Sequence, residues 1–273
     1  MRLGIFAKTF PGTDPASVLA QAKGAGFASV QYNMACSGLP SMPDAITPAQ
    51  AQAVHHAAEQ TGLAIAAISG TYNMIHPDPA IRAKGLARLE ILAASSAAMG
   101  TTLITLCTGT RDPHDQWRRH PDNDSPEAWR DLLTEMEKAT AIAERYNVRL
   151  GIEPELANVV DSAVRARQLL DAIASPSLAI VLDPANLFEH VTLPEQRDII
   201  AHAVDLLADR IVMGHAKDRT VDGAFTTAGT GVLDYLHYIA RLRAIGFRGD
   251  LIAHGLEAHE ASAVATFLRQ ALS

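Results

Sequence analysis

Cysteines and aromatic residues are scarce in this chain of 273 residues. Only Cys36 and Cys107 are present, they do not form a Cys-x-x-Cys motif, and aromatic residues make up 5% of the chain. No apolar signal segment follows Met1, and the apolar runs are shorter than the roughly 18 to 20 residues that cross a bilayer. These absences exclude a disulfide framework and a membrane-spanning segment. We therefore expect a cytoplasmic protein that does not bind membranes.

Clusters of basic residues are also missing. The 23 Lys and Arg residues are outnumbered by 30 Asp and Glu residues, which gives a formal net charge of −7. A nucleic-acid-binding surface needs concentrated positive charge to attract phosphates, so we expect no nucleic-acid partner. Apolar residues make up 48% of the chain, and this share excludes a disordered or low-complexity protein.

Short aliphatic segments alternate along the whole chain with longer segments of helical periodicity. This alternation is typical of repeated βα units, and eight units predict one α/β protein of the (β/α)8 TIM barrel type, with eight parallel strands and outer helices. No Ser/Gly-rich or highly charged linker divides the chain, so residues 1–273 are interpreted as a single domain. The predicted strands are Leu3–Phe6, Ser29–Tyr32, Ala64–Ser69, Leu103–Cys107, Arg149–Glu153, Ala179–Asp183, Ile211–His215 and Asp250–His254.

Helix start and stop signals flank the segments between these strands. Thr47-Pro48 and Ser125-Pro126 each place a hydroxyl N-cap before a proline at the first helical position. Glycines such as Gly62 stand at helix ends, where a left-handed residue is needed. The predicted helices are Asp14–Gly26, Thr47–Thr61, Pro79–Met99, Pro126–Tyr146, Ser162–Ala174, Pro194–Ala208, Val232–Ile245 and Ala258–Leu272.

Polar residues stand at the carboxyl ends of the last four predicted strands. They are Glu153, Asp183, His215 and His254. The carboxyl ends of barrel strands meet at one mouth, so we expect these four side chains to surround one point. Carboxylate oxygens and imidazole nitrogens suit ions such as Mn²⁺, Zn²⁺, Co²⁺ or Fe²⁺, and the four residues are candidate metal ligands. The alternative is that each is an ordinary polar residue at a strand end.

Five segments of the chain carry a resemblance to a known family. They are Gly-Ile-Glu-Pro-Glu (151–155), Val-Leu-Asp-Pro-Ala-Asn-Leu-Phe (181–188), Gly-His-Ala-Lys-Asp (214–218), Gly-Thr-Gly-Val-Leu-Asp-Tyr (229–235) and Gly-Asp-Leu-Ile-Ala-His (249–254). In these five segments the chain resembles the xylose isomerase-like TIM barrel superfamily, in particular its sugar phosphate isomerase/epimerase branch. The resemblance implies one divalent cation, often Mn²⁺, held by Glu, Asp, His and a second Glu at the ends of strands five to eight. Glu153, Asp183 and His215 match the first three ligands.

Two positions depart from the pattern of that family. His254 stands where the epimerases have their fourth ligand, a glutamate, and Glu257 follows in the next loop. The two glutamates of the epimerases serve opposite faces of the substrate. We expect His254 to be a metal ligand or a second acid/base, because the ordinary imidazole pKa of about 6.5 suits both roles. Asn186 replaces a substrate-contacting histidine of the ketose epimerases and can still hydrogen-bond a hydroxyl group.

Four further residues are candidate contacts to a substrate. Lys217 can stabilise an enolate or bind an anionic group, unless it only pairs with a neighbouring aspartate. Glu155 is interpreted as a substrate-facing residue or as an exposed loop carboxylate. His76 and Trp117 follow the third and fourth strands and can bind a sugar, although a packing role also fits Trp117. The pair Gly229-x-Gly231 is interpreted as a tight turn rather than as a phosphate site.

The leading hypothesis is a divalent-metal-dependent isomerase or epimerase that acts on a small sugar-like carbonyl compound through an enediolate. Glu153 is then a metal ligand and general base, His254 a ligand or second acid/base, and Lys217 an electrostatic helper. The alternatives are a metal-dependent lyase, which dehydrates or β-eliminates, and a non-catalytic sugar-binding subunit. The expected cofactor is one divalent ion, Mn²⁺ ahead of Zn²⁺, Co²⁺, Fe²⁺ or Mg²⁺. The expected partners are a small carbohydrate-like substrate and further copies of the chain.

Overall fold

The computed structural model describes residues 1–273 and contains ten β-strands. They are β1 (Arg2–Phe6), β2 (Ser29–Tyr32), β3 (Ala64–Ser69), β4 (Leu103–Cys107), β5 (Arg149–Glu153), β6 (Leu178–Leu182), β7 (Ile211–Ala216), β8 (Asp218–Arg219), β9 (Phe225–Thr226) and β10 (Asp250–Ala253). Eight of them form a closed parallel barrel in the order β1-β10-β7-β6-β5-β4-β3-β2, and β8 and β9 form a short antiparallel hairpin. The predicted (β/α)8 TIM barrel is confirmed.

One α-helix follows each barrel strand. The helices are α1 (Pro15–Gly24), α2 (Pro48–Thr61), α3 (Pro79–Ser96), α4 (Pro126–Tyr146), α5 (Ala163–Ile173), α6 (Leu193–Leu206), α7 (Tyr235–Ala244) and α8 (Ala261–Leu272). The predicted caps are present, because the Thr47 and Ser125 side chains accept backbone N–H bonds in the first turns of α2 and α4. Gly62 ends α2 with a φ of 64°, which is the left-handed conformation expected of it.

Two strands stop one residue earlier than the sequence predicts. β6 ends at Leu182 and β10 ends at Ala253, so Asp183 and His254 lie just beyond their strands. Asp183 instead caps a 3₁₀ turn over Pro184–Asn186, where its side chain accepts the N–H of Ala185. Proline at the first position of this turn has no N–H for the sheet ladder, and the strand therefore ends before it.

Two helices start three residues later than predicted. α7 begins at Tyr235 rather than at Val232, because the Asp234 side chain accepts the N–H of His237 and caps the helix there. α8 begins at Ala261 rather than at Ala258, since a 3₁₀ turn precedes it. Both differences are boundary effects and leave the βα order unchanged.

The apolar core has two layers. Sixty-six buried residues fill the space between the strands and the surrounding helices. A smaller cluster fills the inside of the barrel below the mouth and consists of Ala67, Leu103, Val181, Met213 and Ile252. The barrel is thus a packed structure rather than a pore. None of its helices combines the length and the apolar character that crossing a membrane requires.

We expect Gly4→Ala to lower the free energy of unfolding by about 1 to 3 kcal/mol, because overpacking forces neighbours to move. A Cβ on Gly4 would overlap Ile252 and the Ser29 hydroxyl, and it would lie 2.9 Å from the Ser29 carbonyl oxygen. Gly24, at the end of α1, has no atom within 4 Å of such a Cβ. Gly24→Ala should leave stability unchanged or raise it by up to about 1 kcal/mol. Urea denaturation measures both values, and equal losses would contradict the packing account.

Candidate metal centre and active-site cavity

A two-residue repeat on four neighbouring strands directs the candidate ligands into the barrel mouth. The residues that face the interior below the mouth on β5, β6, β7 and β10 are Gly151, Val181, Met213 and Ile252. Side chains of a strand alternate between its two faces, so the residues two positions later point inward as well. These residues are Glu153, Asp183, His215 and His254. One donor atom from each lies within 4.8 Å of the others, which shows that the structure brings all four together.

Glu153 is buried at the end of β5. Its Oε1 lies 3.1 Å from Nδ1 of His215 and accepts a 2.7 Å hydrogen bond from Nδ2 of Asn186. Burial raises the pKa of Glu153, but the adjacent imidazole of His215 outweighs this effect and holds the pKa below its ordinary value. Glu153 is therefore a carboxylate at neutral pH.

Asp183 is fully buried, and two basic side chains face its outer oxygen. Oδ2 lies 2.9 Å from Nε2 of His254 and 3.4 Å from Nζ of Lys217. Burial opposes the charge, but the Lys217 ammonium and the bond from His254 hold the pKa of Asp183 well below its usual range. Lys217 also donates a 2.7 Å hydrogen bond to Oδ1 of Asn186. Asn186 thus connects Lys217 to Glu153.

The two imidazoles lie against each other, with ring centroids 4.4 Å apart. Nε2 of His215 is 2.8 Å from Oε1 of Gln31, a buried side chain on β2. An amide oxygen can only accept, so Nε2 of His215 donates this hydrogen bond and Nδ1 is the nitrogen that faces Glu153. Burial, together with the neighbouring His215, lowers the pKa of His254.

The donor set fits a divalent cation. Two carboxylates and two imidazoles converge, and two of their donor atoms, Nδ1 of His215 and Oε1 of Glu153, lie 3.1 Å apart. Donor atoms on opposite sides of an ion at about 2.2 Å are about 4.4 Å apart, so the 4.8 Å spread needs little adjustment. Glu153, Asp183, His215 and His254 can therefore hold a metal ion.

A cavity of about 580 Å³ opens above this cluster, which is a suitable size for a small-molecule site. Its lining is mainly polar, and Trp117, half exposed, and Phe225 form part of its rim. Nζ of Lys217 lies 3.7 Å from the centroid of the Phe225 ring. Burial, together with the charge of Glu153, raises the pKa of Glu155 to about 7. Next to the cluster, the cavity thus holds one cationic group, Lys217, and one carboxylic group, Glu155.

The residues singled out as substrate contacts divide into two groups. Asn186, Glu155, Lys217 and Trp117 line the cavity above the cluster, and their contacts with a substrate stay predictions. His76 does not line it. The side chain belongs to an adjoining pocket, where its ring nitrogens lie 3.0 Å from the N–H of Asp78 and 3.2 Å from the carbonyl oxygen of Pro113.

Two nearby features have structural roles. The backbone N–H groups of Gly229 and Gly231 both donate to Oδ2 of Asp218, as the tight-turn interpretation expects. Glu257 is exposed, belongs to the capping box of the turn before α8 and is absent from the cavity lining.

Gln31 is the polar contact that the sequence reasoning missed. The one feature of the sequence that indicates this contact is a polar side chain near the carboxyl end of a short, buried strand.

Comparison with known proteins identifies the family. A family model described as xylose isomerase-like TIM barrel matches residues 19–270. The chain belongs to this family. A 3-oxo-isoapionate decarboxylase from Pectobacterium atrosepticum is 36% identical over 112 residues. That alignment covers 36% of this chain and 36% of the decarboxylase, so it spans about a third of the length of that relative.

Solved structures share the whole fold of this xylose isomerase-like barrel at low sequence identity. A 3-keto-D-glucoside 4-epimerase from E. coli superposes with a TM-score of 0.78 at 18% identity and 99% coverage of both chains. An L-ribulose 3-epimerase gives 0.77 at 17% identity, with 99% of this chain and 94% of that chain covered. A D-psicose 3-epimerase gives 0.76 at 15% identity, with 100% and 99% covered. At these identities the likeness establishes the fold.

Protein stripped with a chelator should bind one equivalent of Mn²⁺, because four donor atoms converge on one point. Binding should raise the free energy of unfolding by about 2.7 kcal/mol when free metal is 100 times Kd. Asp183→Asn removes a charged donor and should weaken binding by at least about tenfold. Glu257→Gln removes the same charge outside the cluster and should have no effect. Elemental analysis and calorimetry measure these values, and unchanged affinity in Asp183→Asn would contradict the assignment.

Proposed function

We propose that this protein is a divalent-metal-dependent isomerase or epimerase of a small sugar or sugar-derived polyhydroxy carbonyl compound. The observation that carries this proposal is the ligand cluster of Glu153, Asp183, His215 and His254 on the floor of a polar cavity. The sugar epimerases of the same fold support the substrate class. We propose Mn²⁺ as the ion, since two hard carboxylates and two imidazoles without a thiolate suit it. Residues 1–273 act as one catalytic domain in this proposal.

The reaction proceeds through an enediolate. A divalent cation held by Glu153, Asp183, His215 and His254 would polarise the substrate carbonyl and stabilise negative charge on its oxygen. Glu153 removes the proton from the carbon next to the carbonyl, and the electron pair of the broken C–H bond moves towards that oxygen. Glu153 gives the isomer when it returns the proton to the former carbonyl carbon while the hydroxyl proton moves to the former carbonyl oxygen. The epimer forms when a second acid, for which protonated Glu155 is the candidate in this cavity, delivers a proton to the opposite face of the first carbon and Glu153 keeps the proton that it removed.

Four neighbouring side chains support this proton transfer. The Lys217 ammonium, 3.4 Å from Asp183, adds positive charge beside the developing enediolate. Asn186 holds Glu153 and Lys217 through its amide group and keeps the base oriented. His254, whose Nε2 lies 2.9 Å from Asp183, serves as the fourth ligand. Glu155 is poised to bind or protonate a substrate hydroxyl, because its pKa of about 7 permits both forms near neutral pH.

A lyase is the second candidate, and two observations favour it. A histidine stands at the position where the epimerases have their second glutamate, so a relay between two glutamates is absent, and the relative that is 36% identical over 112 residues is a decarboxylase. In the decarboxylation of a 3-oxo acid, the bond to the carboxylate carbon breaks and its electron pair moves to the ketone oxygen. Carbon dioxide leaves, and the resulting enolate takes up one proton. This reaction needs the same electrophilic site but no base for a C–H proton.

Proton NMR in D₂O separates the two reactions. Ketoses such as L-ribulose and D-psicose should lose the signal of the hydrogen next to the carbonyl and form a new sugar with the same number of carbons. A 3-oxo sugar acid that releases carbon dioxide, while no ketose exchanges, would establish the lyase instead. If Mn²⁺-loaded protein neither exchanges hydrogen nor cleaves a carbon bond in either class, the enzymatic proposal is wrong.

Glu153→Gln should lower kcat by about 10² to 10⁴, because an amide cannot accept the proton. The assay uses saturating Mn²⁺, and the metal content of the variant is measured in parallel. Glu257→Gln, which removes an exposed carboxylate outside the cavity, is the matched control and should keep full activity. A metal-loaded Glu153→Gln variant with more than half of the activity would exclude Glu153 as the base.

A further inference from the structure

Lys8 lies on the side of the cavity opposite the base. It belongs to a 3₁₀ turn over Ala7–Thr9 that directly follows β1, and it lines the cavity above the ligand cluster. In the barrel order, β1 is four strands away from β5, which carries Glu153. A substrate whose reacting carbon lies at Glu153 therefore extends towards Lys8.

The Lys8 ammonium group has no partner in the protein. The ion pairs of the cavity join Lys217 and His254 to Asp183, and His215 to Glu153, and Lys8 takes part in none of them. Its side chain is exposed to solvent and makes no hydrogen bond. In a protein with a net charge of −7, a cation left unpaired in the cavity favours an anionic ligand.

A second donor stands beside the same part of the cavity. Asn33, just after β2, is only 3% exposed and lines the cavity. Its Oδ1 accepts the N–H of Ala35, which directs the amide nitrogen away from that turn and leaves it without a partner. An NH₂ group that faces a cavity is solvated there, and an acceptor on a bound ligand can take the place of that water. β2 is the neighbour of β1, so Asn33 and Lys8 belong to adjacent loops.

We infer that Lys8 and Asn33 bind a carboxylate group of the substrate, so that this enzyme prefers a sugar acid to the neutral sugar of the same length. The inference rests on the proposed function, since it names the substrate class of the same cavity. A carboxylate fits one ammonium and one amide donor, whereas a phosphate dianion usually takes several backbone N–H groups. The glycine-rich turn that could offer them, at Gly229 and Gly231, directs these groups to Asp218.

Binding of two matched probes tests the inference in the Mn²⁺-loaded protein. D-Gluconate and D-sorbitol have the same six-carbon chain but differ by one carboxylate. Calorimetry should show that gluconate binds at least about tenfold more tightly than sorbitol. Lys8→Gln should weaken gluconate by roughly five- to twentyfold and leave sorbitol unchanged, as expected for the loss of one partly exposed charged bond. Lys23→Gln, on α1 and outside the cavity lining, is the charge-matched control and should change neither affinity.

Asn33→Asp provides an independent variant. It keeps an oxygen for the Ala35 N–H and replaces the cavity-facing NH₂ by a negatively charged oxygen. Gluconate binding should fall by more than tenfold while sorbitol binding persists, which also shows that the variant is folded.

Each other outcome has a separate meaning. If sorbitol and gluconate bind equally, or if the preference for gluconate survives in both variants, the carboxylate site is wrong but the sugar function stands. Tighter binding of D-sorbitol 6-phosphate than of gluconate, lost in Lys8→Gln, would replace the carboxylate by a phosphate and contradict the inference. If none of the probes binds, both this inference and the proposed function are wrong.

Discussion

Two buried carboxylates at one end of a barrel are the constraint on which the rest of this structure depends. Removing charge from water costs several kcal/mol per group unless opposite charge or hydrogen bonds compensate it. Glu153 and Asp183 are compensated by His215, His254 and Lys217, and each of these contacts crosses from one strand to another. The polar layer therefore only works if all four strands keep their register, and the apolar cluster beneath it provides that register.

The same arrangement explains why the cavity is chemically asymmetric. The side formed by β5, β6, β7 and β10 carries the ligand cluster, with the amide of Asn186 bridging Glu153 and Lys217. The side formed by β1 and β2 carries Lys8 and the unpaired amide of Asn33 instead. In the proposed reaction, a ligand that spans the mouth would thus meet a metal-binding, proton-transferring end and an anion-binding end, and its two ends could not be exchanged.

The ligand positions were predictable from the sequence because a strand has a period of two and parallel barrel strands share one mouth. Asp183 lies two positions after Val181, and His254 lies two positions after Ile252. Each pair therefore places an apolar residue inside the barrel and a polar residue above it. Both strands were predicted one residue too long at these positions, and at Asp183 the reason is that the side chain caps a 3₁₀ turn that begins at Pro184.

The contacts of Gln31, Asn33 and His76 could not be predicted in the same way. Gln31 acquires its partner from β7, far away in the chain, and the sequence around it contains no sign of that contact. His76 follows a strand like the ligands do, but the Asp78 N–H and the Pro113 carbonyl oxygen engage its ring outside the main cavity. The directions of these side chains depend on contacts that chain position does not encode.

The central claim, one cation shared by four residues, is tested most directly by anomalous X-ray diffraction at the manganese edge from crystals grown with Mn²⁺. We expect a single peak at about 2.0 to 2.3 Å from donor atoms of Glu153, Asp183, His215 and His254. No peak there, or a peak that lacks His254, would contradict it.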